Sequence, residues 1–332
     1  MKIQIIGAGS AGMHFLKAAQ RLKEELSRVE IRVVAPDVAE LPGRYLNRYG
    51  AVLEDVETGT EIEGCDYAVI ATPPDTHLDL IAPLSDAKGI VIEKPLCSPK
   101  EEGKLRSFLM SGFEPRVYVN YQYLLHPALQ WLRENIPKVS EPVIAHVLWQ
   151  EHLSFMGQAH PWADESWYIT DSLRGGGAAN EHSHGLALLI NGVLASMGNH
   201  PLSSNSIKVF ENGHDSYSNF VLSVLNEGHY LGGGTATMDF MSYKPVKKLT
   251  LCCPQVTAEV DFYSQRATIH RPDLLLAEEF SVSREDEFLL TLRHILNTSG
   301  YADSPIALHN VVPIQEILFG HYREIINDGG LH

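Results

Sequence analysis

Three side chains of this 332-residue sequence stand where they could move a proton or steady a developing charge. Lys94 sits in Glu93-Lys94-Pro95, directly after an apolar run at 90–92. A lysine at the end of a strand can hydrogen-bond a hydroxyl and stabilise the alkoxide formed from it. Glu181 and His184 follow the glycine turn Gly175-Gly176-Gly177, and being three apart they share one face of a helix. An imidazole, with an ordinary pKa of about 6.5, suits proton transfer near neutral pH. The plainer readings are a solvated turn lysine and a histidine-rich helix start. A zinc site on His182 and His184 has the wrong spacing, because the helical zinc pair is four apart with a glutamate between. No metal is expected.

Residues 7–12 read Gly-Ala-Gly-Ser-Ala-Gly and follow the apolar run at 3–6. Such a string between a strand and a helix is a dinucleotide fingerprint. Its glycines permit the tight turn, the approach to a pyrophosphate and close helix–strand packing, and the phosphates rest on the helix N-terminus. Gly7, Gly9, Ser10, Ala11 and Gly12 are therefore candidate cofactor residues. The competing reading is a glycine turn in another α/β nucleotide or flavin binder. Ala71-Thr72-Pro73-Pro74-Asp75-Thr76-His77 also ends an apolar run, and open parallel sheets bind ligands at such strand ends. The alternative there is a proline turn with Asp75 or Thr76 capping the next helix. His152, His160, Trp162, Trp167 and Tyr168 fall in a stretch of little periodicity. Their rings could line a sugar pocket or simply pack.

The elements that must position these groups follow from periodicity. Strands are expected over 3–6, 31–35, 67–71, 90–92 and 116–120, with helices over 13–26 and 77–84, giving βαβ units and a parallel sheet. A helix over 127–135, a strand over 143–150, a long loop over 151–180 and a helix over 184–193 come next. Alternating segments through 207–269 predict an antiparallel sheet, and amphipathic helices follow over 284–297 and 311–327. The expected class is α/β, with a doubly wound N-terminal domain over 1–122. An α+β domain with a large mostly antiparallel sheet follows over 123–332. The last helix is a candidate to pack back on the first domain.

Composition narrows the partners. With 41 acidic against 26 basic residues the net charge is −15, which repels a phosphate backbone and argues against nucleic acid. No run approaches the roughly 20 apolar residues of a membrane helix, and no leader pattern precedes the first strand, so a cytoplasmic protein is expected. Cys65, Cys97, Cys252 and Cys253 form no C-x-x-C pair and read as reduced core thiols.

In this order, G-x-G-x-x-G, A-T-P-P-x-T-H, E-K-P and a triple glycine leading to an acid and a histidine, the motifs resemble the Gfo/Idh/MocA family of NAD(P)-dependent sugar oxidoreductases. The likeness runs from residue 1 to about 195. It implies a Rossmann domain and a C-terminal domain whose open sheet often forms the oligomer interface, here a homodimer or homotetramer. It implies Lys94 and His184 as the catalytic pair and Glu181 as the group that orients sugar or histidine. Thr72, Pro73, His77, Glu93 and Lys94 would join the glycine turn around NAD or NADP. Lys94, Tyr123, His160, Trp162, Glu181 and His184 would meet a sugar or nucleotide sugar. At the end of the second strand the usual ribose-binding acid is replaced by Ala35, leaving Asp37 as its substitute, and an acid there favours NAD. Tyr121 to Leu124 lack the arginine many members carry, and Ala187 replaces a frequent aspartate. The alternative reading is a non-catalytic NAD(P)-binding sensor of the same fold.

Overall fold

The computed structural model of the chain describes residues 1–36, 55–112, 116–136, 142–154, 171–197, 202–211, 213–227 and 229–327. Among these, six strands form one parallel sheet: β1 Lys2–Ile6, β2 Glu30–Val34, β3 Val56–Gly59, β4 Tyr67–Ile70, β5 Gly89–Ile92 and β6 Val117–Val119. Their order is β3-β2-β1-β4-β5-β6, the doubly wound order in which the strand sequence reverses beside β1. β1, β4 and β5 are almost wholly buried, which is why β4 and β5 read as near-continuous apolar runs, Ala68 to Ile70 and Ile90 to Ile92, rather than alternating ones. Helix α1, Ser10–Glu25, buries Met13, Phe15, Leu16 and Leu22 at helical spacing. Strand β3, with no fully buried residue, has no apolar run to betray it. Helix α2, Glu102–Met110, buries only Leu105 and is equally silent in the sequence.

The stretch over 77–84, expected as a helix, is a chain of short 3₁₀ turns, Pro74–Thr76, Leu78–Leu80 and Ala82–Leu84. Pro74 and Pro83 interrupt the backbone donors an α-helix needs.

Eight strands make the second sheet: β7 Val143–Gln150, β8 Leu202–Glu211, β9 His214–Asn226, β10 His229–Asp239, β11 Val246–Cys253, β12 Val256–Asp261, β13 Arg266–Arg271 and β14 Leu274–Glu279. The order is β14-β13-β12-β11-β7-β10-β9-β8. Only the β7–β10 pair is parallel. β7 alternates strictly, with Val143, Ala145, Val147 and Trp149 buried and Ile144, His146 and Leu148 exposed, the pattern of a sheet with one covered face. Helix α3, Pro127–Asn135, starts at His126, whose Nδ1 accepts from Ala128 N at 3.1 Å.

The chain divides into two compact units, one of residues 1–122 and 283–310, the other of 123–282 and 311–332. Helix Arg284–Asn297 belongs to the first unit and packs on α1 through Lys17–Glu285 (3.2 Å) and Arg21–Asp286 (2.7 Å) ion pairs. The final helix, Leu308–Asn327, belongs to the second unit from Val311 onward. Of the cysteines only Cys97 is fully buried; Cys65, Cys252 and Cys253 are half-buried. No helix among the described residues is long and apolar enough to cross a membrane.

Burial sets a pH dependence. It pushes the imidazoles of His126 and His321 down to about 4 and about 3, so both are neutral when folded but bind protons at about pH 6.5 when unfolded. Their stabilising contribution is complete above that pH and is lost as the pH falls below it. The slope is about 1.4 kcal/mol per pH unit for each ring. The urea midpoint should fall between pH 7 and pH 5. His126→Asn, which keeps an N-cap acceptor but does not titrate, should show a shallower fall than the wild type.

Candidate functional site

In the first unit the carboxyl ends of β1, β4 and β5 lie side by side, so the loops that leave them converge. Gly7 leaves β1 with φ +102°, and a Cβ there would overlap the Ala71 carbonyl at the end of β4. Only glycine fits that turn. A Cβ on Gly12 would likewise overlap the Gly7 carbonyl. α1 then begins at Ser10 with Gly9 as an N-cap that supplies no side-chain acceptor, and its first turn holds no acid. The first N–H groups of a helix have no intrahelical partner, so the turn fits an anion such as a pyrophosphate. Gly7, Gly9, Ser10 and Ala11 are partly exposed and Gly12 is buried.

The loop after β4 is held by its own side chains. Thr76 Oγ1 donates to Pro73 O at 2.7 Å, which leaves Thr72 Oγ1 to donate to Thr76 Oγ1 at 2.7 Å. Thr72 and Pro73 remain partly exposed. Neither Asp75 nor Thr76 caps a helix, since the turns there have no side-chain cap. His77 is fully buried. Its Nε2 faces Thr72 O at 2.8 Å and its Nδ1 faces Pro95 O and Leu96 O, each at 3.2 Å. The ring lies behind the loops after β4 and β5 with a nitrogen facing a carbonyl of each, and in its neutral form it donates to one side only. Burial lowers its pKa, against the pull of these three carbonyls.

Glu93 is buried beside Lys94, which is half-buried and joined to Pro95 by a cis peptide. Glu93 Oε1 accepts from Asn120 Nδ2 at 2.6 Å, and Asn120 Oδ1 accepts from Thr291 Oγ1 at 2.8 Å. The Gln122 amide, oriented to satisfy its neighbours, donates to Asn120 O at 2.9 Å and accepts from Arg284 at 3.0 Å. Burial pushes the Glu93 carboxyl up, while the Lys94 charge and the Asn120 amide pull it back. The chain Glu93–Asn120–Thr291 thus braces Lys94 from inside the unit. Asn120 and Thr291 carried no signal in the sequence beyond their place at a strand end and on a helix.

The second unit holds the other candidates. Ala178–Glu181 is a short helix after Gly177, and the chain tightens at His182 and Ser183 before His184–Ala187. Three-residue bonds, Ser183 N to Asn180 O and Gly185 N to His182 O, keep Glu181 and His184 one tight turn apart. Beyond Ala187 the helix widens to a π turn at Leu188–Val193 and ends in a 3₁₀ turn at Leu194–Met197, so it passes the Asn191-Gly192 stop expected from the sequence. Glu181 and His184 are both buried. The His184 ring stands 5.0 Å from Tyr123 and 5.6 Å from Trp149, and Phe262 closes the same aromatic cluster. His182 faces the other way, on Phe240 at 5.0 Å. His152 stacks on Tyr243 at 3.7 Å. Trp149 and Phe262 were not foreseen; the strict alternation of β7 already marks Trp149 as inward-facing. Asp37, His160, Trp162, Trp167 and Tyr168 lie outside the described residues.

Residues 1–107 match the model of an oxidoreductase family with an NAD-binding Rossmann fold, GFO_IDH_MocA. Over residues 1–107 the chain is thus similar to the Gfo/Idh/MocA family. The rhizopine catabolism protein MocA of Rhizobium meliloti is 30% identical over 141 residues, 41% of this chain and 42% of that relative. The likeness to this curated member of the Gfo/Idh/MocA family thus spans less than half of either protein. Solved structures share the fold over far more of their length. An NAD binding oxidoreductase from Klebsiella pneumoniae has a TM-score of 0.74 at 14% identity, covering 96% of this chain and 95% of that one. Levoglucosan dehydrogenase in complex with NADH and L-sorbose gives 0.70 at 13% identity, with 96% and 97% covered. UDP-N-acetylglucosamine 3-dehydrogenase GnnA from Acidithiobacillus ferrooxidans gives 0.67 at 16% identity, with 96% of each covered.

Asn120→Leu should destabilise the first unit by about 1–3 kcal/mol, because it strips the buried Glu93 of its amide donor. A lower urea midpoint, with dinucleotide affinity measured in parallel, is the test; an unchanged midpoint would mean that Glu93 is satisfied without Asn120.

Proposed function

We propose that the protein is an NAD(P)-dependent oxidoreductase that moves a hydride between a nicotinamide and a hydroxyl or keto carbon of a sugar or nucleotide sugar. The observation that carries this reading is the glycine turn over an uncapped helix start, beside the strand-end loop that presents Lys94. The bound dinucleotide supplies the hydride acceptor or donor. In the oxidising direction His184 accepts the hydroxyl proton, Lys94 steadies the oxyanion as it forms, and Glu181 orients the sugar or the imidazole. Reduction runs the same path backwards. Proteins of like fold described as dehydrogenases of levoglucosan and of UDP-N-acetylglucosamine support the substrate class. Asp37 supports NAD over NADP.

The outer face of the second sheet supports a homodimer or homotetramer. Ile144 and Leu148 of β7 and Val221 of β9 are exposed there, spaced among His146, Thr235 and Asn219. Apolar residues among polar ones suit an interface between copies.

Titration with NADH and with NADPH, read by quenching of tryptophan fluorescence, should saturate with one of them. Turnover is then assayed with levoglucosan, L-sorbose and UDP-N-acetylglucosamine as probes. Lys94→Ala and His184→Ala should each lower kcat by roughly 10²- to 10⁴-fold while the dinucleotide still binds. Wild-type turnover by both variants would refute the assignment, and saturable binding without turnover of any sugar would favour a sensor.

A further inference from the structure

A second buried carboxylate lies behind the Glu181–His184 segment. Asp215, near the start of β9, is fully buried. Its Oδ2 accepts from Ala179 N and from Ser218 Oγ, each at 2.7 Å. Its Oδ1 accepts from Ser172 Oγ at 2.8 Å and from Tyr322 OH at 2.6 Å. Burial pushes this carboxyl up, and all four donors favour its ionised form. The ring behind it is equally determined. Ser218 Oγ gives its one proton to Asp215, so at 2.9 Å it must accept from His321 Nε2, and His321 Nδ1 accepts from Ser206 Oγ at 2.8 Å.

We propose that Asp215 is the positioning residue for His184, holding the start of its segment through Ala179 N. This rests on the reading of His184 as the proton-transfer group. The Ala179 amide is one of the first-turn donors that lack a helical partner, and a charged acceptor makes that bond short and strong. The chain reaches it across Gly177, whose φ is +83° and where a Cβ would overlap both Asp215 Oδ1 and Ser172 Oγ. The segment is therefore seated directly on the carboxylate, with no side chain between to take up a displacement. Asn180 adds a second tether, its Nδ2 donating to Ser172 O at 3.0 Å and Gly176 O at 2.7 Å. From Ala179 onward the consecutive bonds of the tight turn, up to Ala187 N on Ser183 O at 2.9 Å, transmit the placement to His184. An imidazole must lie within hydrogen-bond reach of the proton it takes, so a small displacement at Ala179 is felt at the reacting atoms.

The test compares Asp215→Asn with Ser218→Ala in the full chain. Both weaken the same buried cluster, but only the first alters the acceptor of Ala179 N. In Asp215→Asn the His184 ring resonance, set by the neighbouring Tyr123 and Trp149 rings, should move. On whichever probe sugar the wild type turns over, kcat should fall by about 10- to 100-fold with dinucleotide affinity unchanged. In Ser218→Ala the resonance and kcat should hold even where the melting temperature falls equally. If the resonance stays fixed in Asp215→Asn, or moves as far in Ser218→Ala, Asp215 is a core brace and the proposal is overturned. If the resonance moves but His184→Ala turns over like wild type, positioning stands and the catalytic reading of His184 fails.

Discussion

A carboxylate taken out of water must be met by donors, or its burial costs more than its neighbours return. In this protein Glu93 and Asp215 are both buried, and the donors each demands come from distant parts of the chain. Glu93 draws in Asn120 and, through it, Thr291 of a helix that closes the first unit. Asp215 draws in Ser172, Ala179, Ser218 and Tyr322, which lie far apart along the sequence. Each cluster lies directly behind a segment that carries a candidate group, Lys94 in one case and His184 in the other. Satisfying the buried charge therefore fixes the backbone from which the functional side chain projects.

The parallel sheet does the corresponding work for the glycine turn. Because β1, β4 and β5 are in parallel register, Ile6, Ile70 and Ile92 end at one level, and the loops that follow have to share one edge. His77 packs between the loops after β4 and β5, its single N–H in the neutral ring donating to a carbonyl of one of them. A buried imidazole serves here because it offers two polar atoms on a rigid ring with little side-chain entropy to lose. The cost is sensitivity to acid, since burial holds such rings neutral.

The second sheet divides its labour between faces. Val147 and Trp149 of β7 point inward, toward the helices, and Trp149 there meets His184. Ile144, His146 and Leu148 alternate with them and point outward. One strand thereby contributes to the environment of the histidine and to an open apolar face, through nothing more than the period-two geometry of a strand.

Much of this was legible in the sequence because the signals are local. The strand runs at 3–6, 67–71 and 90–92, the glycine spacing at 7–12, and the helices Pro127–Asn135 and Arg284–Asn297 each depend on residues within a turn or two. Hydrophobic period and backbone sterics act at that range, so the doubly wound order and the second mostly antiparallel sheet could be anticipated. What escaped was whatever lacked a period or depended on distant partners: the partly buried strand β3, the 3₁₀ turns in place of a helix at 77–84, and the π turn past Asn191. His77 illustrates the limit, since its motif carried no sign that the ring is buried against three backbone carbonyls. By itself the sequence determined the two-sheet class, the fingerprint and the identity of Lys94, Glu181 and His184 as candidates. Only the tertiary structure decided which polar residues are consumed in holding them, because the donors of a buried carboxylate are chosen by proximity in space, and spacing along the chain carries no record of that.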